Sequence, residues 1–118
     1  MPQLIHKNAD GTSIKQWDLK NKSVSIGRGE QADVQIGDEM MSRRHFEIAE
    51  RNGAYVIRDL QSRNGVTVNG RTVTEATLGS GDTIRAGETM FVFADGLNTV
   101  IGHLAKQNQS YSSFVKKL

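Results

Sequence analysis

Four short fragments of the sequence gather cations, hydroxyls and amides without a single carboxylate: Ile26-Gly27-Arg28, Ser42-Arg43-Arg44-His45, Ser62-Arg63-Asn64-Gly65 and Val68-Asn69-Gly70-Arg71. Each falls at a strand end or a turn, not within a periodic apolar stretch. A set made of donors suits an anion. A phosphate monoester carries about −1.5 to −2 charge near neutral pH and offers three acceptor oxygens. Arginine forks and hydroxyl protons are its complement. Every one of these residues also has a role that needs no ligand. Arg43, Arg44 and Arg63 are long side chains that solvent accommodates by default. Arg71 follows a turn and reads as a solvated strand residue. Asn64 and Asn69 each precede a glycine, so turn formation alone accounts for them.

The elements that must position these fragments read as strands. Asp10-Gly11, Asn52-Gly53, Asn64-Gly65, Asn69-Gly70 and Asp95-Gly96 are turn dipeptides that accept positive φ. Period-two alternation flanks two of them. Phe46 and Ile48 precede Asn52-Gly53, and Tyr55 and Ile57 follow it. Val66 and Val68 precede Asn69-Gly70, and Val73 follows. Alternation on both sides of Asn-Gly predicts a hairpin. Further strands are expected at 3–7, 13–19, 23–27, 33–36, 83–86 and 89–93. Many short strands at about ten-residue spacing predict an all-β sandwich or barrel. Residues 97–118 differ. Leu97, Val100, Ile101, Leu104, Tyr111, Phe114, Val115 and Leu118 recur at three- and four-residue steps. They read as an amphipathic helix, whole or broken, or as a linker. The expected division is one domain over 1–96 and a tail over 97–118.

Composition narrows the function classes. At 118 residues the chain has the length of one domain. Its longest apolar run is Met90 to Ala94, far short of the roughly 20 residues of a membrane span. There is no cysteine and there are three scattered histidines, His6, His45 and His103. Thiol chemistry is excluded, and a metal site is not expected. The net charge is +2, but Lys106, Lys116 and Lys117 carry +3 in a tail without acids. The body is thus close to neutral, which argues against nucleic acid as the partner. The first residues, Met1 to Lys7, hold no apolar stretch of signal-peptide length, so a cytoplasmic chain is expected. Catalysis is not expected either. No Gly-x-Ser-x-Gly turn exists, Gly27-Arg28-Gly29 leads into no Gly-Lys-Ser/Thr, and the acids nearest Ser42, Asp38 and Glu39, have no evident partner role.

In order and spacing, Gly-Arg, Ser-x-x-His, Ser-x-Asn-Gly and Asn-Gly resemble the forkhead-associated (FHA) domain. Leu78-x-x-Gly81-Asp82-x-Ile84 and the final Phe91-Val92-Phe93 add to the likeness, which covers residues 3–95. It implies an eleven-stranded β-sandwich whose loops at one end bind phosphothreonine peptides. It implies that Arg28 grips the phosphate, that the Ser42 hydroxyl donates to it, and that Arg43 contacts phosphate or peptide backbone. Asn64 would hydrogen-bond the peptide main chain. Arg63 stands where many members have threonine, and would reach the phosphate or a flanking residue. His45 would fix the loop that presents the serine, and Gly27, Gly65, Asn69 and Gly70 would shape turns. Short loops and small size are similar to bacterial members. The expected function is a phosphothreonine-dependent adaptor downstream of a Ser/Thr kinase, without cofactor, metal, nucleic acid or membrane insertion. The alternative is a phosphate-independent interaction module on the same scaffold.

Overall fold

The computed structural model describes residues 2–19 and 23–95. The helix or linker expected over 97–118 lies outside the described residues. Eleven strands are described: β1 (Pro2–Lys7), β2 (Ser13–Asp18), β3 (Val24–Gly27), β4 (Val34–Gln35), β5 (Phe46–Arg51), β6 (Ala54–Asp59), β7 (Val66–Val68), β8 (Arg71–Val73), β9 (Glu75–Leu78), β10 (Thr83–Ala86) and β11 (Thr89–Asp95). They form a six-stranded sheet in the order β2-β1-β11-β10-β7-β8 and a five-stranded sheet in the order β4-β3-β5-β6-β9. All pairings are antiparallel except β3 with β4.

Alternation along each strand sends one set of side chains into the space between the sheets. In β11, Phe91 and Phe93 are buried while Met90 and Val92 are partly exposed; in β5, Phe46 and Ile48 are buried while Glu47 and Ala49 are not. The sheets meet through aromatic rings. Phe46 of the smaller sheet stands edge-on to Phe91 of the larger at 5.7 Å, and Tyr55 lies 5.7 Å from Phe93. Leu4, Ile26, Ile57, Val66 and Ile84 complete the sealed centre. Leu19 lies just past the end of β2 and is fully buried. Its amide donates to Pro2 and its carbonyl accepts from the Tyr55 hydroxyl.

Both expected hairpins form. β5 and β6 turn through Asn52-Gly53, and β7 and β8 through Asn69-Gly70, with positive φ at all four residues. β9 carries no such signal. It starts one residue after β8 but belongs to the other sheet, so the chain crosses the sandwich at Thr74. The Thr74 carbonyl is held there by the Asp59 amide. Among the described residues, no helix is long and apolar enough to cross a membrane, and no cluster of histidines and carboxylates could hold a metal ion.

Candidate functional site

Three connections meet at one end of the sandwich: β3 to β4, β4 to β5 and β6 to β7. Backbone bonds knit the first two together. Arg28 N donates to Ser42 O at 2.9 Å, Gly29 N to Arg43 O at 3.0 Å, and His45 N to Ile26 O at 2.8 Å. This approach requires glycine at position 27. A Cβ there would be pressed against the Arg43 carbonyl and 2.9 Å from the Arg44 Cα. Backbone atoms cannot swing aside to make room.

His45 ties in the third connection. It is fully buried. Its Nδ1 accepts from Ser42 N at 2.9 Å, and its Nε2 lies 2.7 Å from Gly65 O. An acceptor at Nδ1 and a carbonyl at Nε2 select the tautomer protonated on Nε2. One imidazole therefore spans the segments that carry Ser42 and Asn64. Gly65 takes φ of 79°, and its amide donates to Ser62 Oγ.

The functional side chains emerge from this frame. Arg28 Nε donates to Met41 O at 3.0 Å, which aims the guanidinium and leaves its two terminal nitrogens without a partner among the described residues. Ser42 Oγ accepts from Arg63 N at 3.0 Å. With a lone pair occupied, the hydroxyl proton is free to donate outward. Asn64 Nδ2 donates to Met40 O at 2.7 Å, and its carbonyl oxygen has no partner among the described residues. The Arg43 and Arg63 side chains are exposed and have no hydrogen-bond or ion-pair partner among the described residues.

All five candidate ligand residues, Arg28, Ser42, Arg43, Arg63 and Asn64, line one open pocket of about 280 Å³, completed by Glu39, Met40 and Met41. The pocket is not purely donor-lined, since Glu39 stands within it. Three guanidinium groups outweigh that one carboxylate, so the pocket is receptive to a dianion. Arg44 is exposed and is not part of the lining. Asn69 and Gly70 have a structural role. The Asn69 side chain accepts from Thr83 N and donates to Asp82, pinning the β7–β8 turn to the start of β10.

Three contributors carry no residue-type signal in the sequence. Met40 and Met41 act through their carbonyls. Asp38 braces the whole segment. Its Oδ1 accepts from Met40 N at 2.8 Å, while its Oδ2 accepts from Glu88 N at 2.8 Å and Thr89 Oγ1 at 2.6 Å. Burial alone would raise this carboxyl, but the bonds from Thr89, Met40 and Glu88 outweigh it and hold it below its ordinary value of 3.8. Gly87 makes the docking feasible. It has φ of 61°, and a Cβ there would meet Asp38 Oδ2 at 2.7 Å and Met41 Cγ at 2.9 Å.

An all-β sandwich with an anion-receptive loop cluster at one end is a class of binding scaffold. The comparisons give the family. Residues 24–87, more than half of the chain, match the family model of the FHA domain. The chain belongs to the FHA domain family. It is 39% identical over 83 residues to the FHA domain-containing protein FhaA of Mycobacterium tuberculosis, covering 70% of this chain and 16% of that protein. Among solved structures, one studied for phosphothreonine-dependent FHA domain interactions is similar with a TM-score of 0.72 at 34% identity, covering 80% of this chain and 95% of that one. Mycobacterium tuberculosis EmbR, solved in complex with a low affinity phosphopeptide, is similar with a TM-score of 0.70 at 32% identity, covering 79% of this chain and 24% of that one. The chain therefore spans a small part of FhaA and of EmbR.

Proposed function

We propose that this chain is a non-catalytic adaptor that binds phosphothreonine peptides written by a Ser/Thr kinase in the cytoplasm. The observation that carries the reading is the convergence of Arg28, Ser42, Arg43, Arg63 and Asn64, from three separate connections, on one pocket. The FHA structure studied for phosphothreonine-dependent interactions supports it.

The geometry supports the following roles. The Arg28 terminal nitrogens and the Ser42 hydroxyl take phosphate oxygens. Arg43 and Arg63 add charge at the rim and reach the phosphate or the flanking main chain. The open carbonyl of Asn64 accepts a peptide amide. Two charge-assisted hydrogen bonds of about 1.5–3 kcal/mol each separate phosphorylated from plain peptide by about two to four decades. The partner is a protein bearing phosphothreonine, and the body over 1–96 carries the contact.

Titration of the 15N-labelled chain with a degenerate phosphothreonine peptide pool tests this. The amides of Arg28, Ser42, Arg63 and Asn64 shift, and the plain pool leaves them unmoved. Shifts confined to another face, or equal shifts with both pools, would overturn the reading.

A further inference from the structure

Two large apolar side chains are exposed among the described residues, Ile14 at 53% and Met40 at 48%. Ile14 sits on the outer strand β2. Met40 sits on the lip of the arginine-lined pocket. Beyond it opens a second, larger hollow of about 660 Å³, lined by Ile36, Asp38, Glu88 and His6 together with Glu39 and Met40. The two hollows share Glu39 and Met40 as lining, so they adjoin across these two residues, and together they are called the trough below.

The two halves of the trough have opposite polarity. Three arginines line the first, and no lysine or arginine lines the second. Asp38 spends its oxygens on Met40, Glu88 and Thr89. The carboxylates of Glu39 and Glu88 have no such partner among the described residues. His6 lines the second half with its ring 5.6 Å from Phe91. A peptide anchored by its phosphate in the first half has the second within reach of a neighbouring side chain, across Met40. Lysine and arginine fit both features, because their aliphatic stems lie on apolar surface while the cation reaches outward. A leucine would satisfy Met40 alone, and a glutamate would be repelled.

We propose that this trough selects phosphothreonine peptides carrying a lysine or arginine near the phosphothreonine, its stem on Met40 and its cation at Glu39 and Glu88. The proposal rests on the phosphopeptide reading above and adds the identity of the flanking residue.

The test is fluorescence anisotropy of the full chain against phosphothreonine peptide pools at near-physiological salt. One flanking position at a time is fixed as lysine, norleucine or glutamate. At one position the lysine pool binds about fivefold tighter than the norleucine pool, and the glutamate pool binds weakest. Glu88→Lys reverses the lysine-over-glutamate order there, while keeping the backbone amide that holds Asp38. The absence of any position that favours lysine over norleucine would overturn the proposal. So would a lysine preference unchanged in Glu88→Lys, or a norleucine preference that Met40→Ser removes. The ratio of phosphorylated to plain peptide reports separately on the underlying reading. A ratio of unity sinks both, and a large ratio without a lysine preference sinks the flanking assignment alone.

Discussion

Ser42 shows how much of the site is decided by single atoms. Its amide donates to the His45 ring and its hydroxyl oxygen accepts from Arg63, so the hydroxyl proton is what remains to offer a ligand. Removing that oxygen deletes the donor and also orphans the Arg63 amide. Ser42→Ala is expected to weaken phosphopeptide binding about tenfold, measured by calorimetry, with a small loss of melting temperature. His45 behaves in the opposite way. It is buried and does not line the pocket, but His45→Ala leaves Ser42 N and Gly65 O unpaired beside a cavity. That is expected to cost about 2–5 kcal/mol of stability in urea unfolding. That Arg28, Ser42 and Asn64 meet at one pocket was foreshadowed by the order and spacing of the fragments that resemble the FHA pattern, while the burial of His45 left no mark on residue type. Met40 and Met41 were not, because a backbone carbonyl that aims an arginine leaves no mark on residue identity.

At the scale of elements, the segment from Ile36 to His45 is the working part, and Asp38 is its brace. A carboxyl held below its ordinary value stabilises the fold above the unfolded-state pKa and loses that contribution as pH falls through the folded value. The melting temperature of the wild-type chain is thus expected to fall more steeply than that of Asp38→Asn as pH drops below about 4. At neutral pH Asp38→Asn is expected to melt lower and to bind phosphopeptide more weakly, because the Met40–Asn64 contact loosens. Identical acid profiles for the two proteins would contradict the brace. Gly87→Ala, from the β10–β11 turn, is expected to reproduce the same defect without altering charge. Asp38 escaped the sequence reading because its partners, Glu88 and Thr89, lie about fifty residues away, and only the sandwich brings them together.

For the whole molecule, period two and the Asn-Gly dipeptides sufficed to read most of the sandwich, since half-buried strands and tight hairpins leave strong local marks. Two features left none. β9 follows β8 without a turn signal while the chain changes sheets, and β4, within the strand expected at 33–36, pairs with β3 in parallel. Both depend on contacts distant in sequence. The charge distribution also acts at this scale. The pocket is cationic on a body close to neutral, so its attraction for anions is local. Duplex DNA at near-physiological salt is expected to show no saturable binding in a mobility-shift assay, where a charge-driven binder would retain the probe.

Everything proposed for this chain depends on a phosphate on threonine being read by Arg28. The most direct test is fluorescence anisotropy of the full chain with one degenerate peptide pool, phosphorylated and plain, for wild type and Arg28→Ala. The phosphorylated pool is expected to bind wild type about a hundredfold or more tighter than the plain pool, and Arg28→Ala to lose most of that gap. Equal binding of the two pools, or a gap that survives in Arg28→Ala, would contradict it.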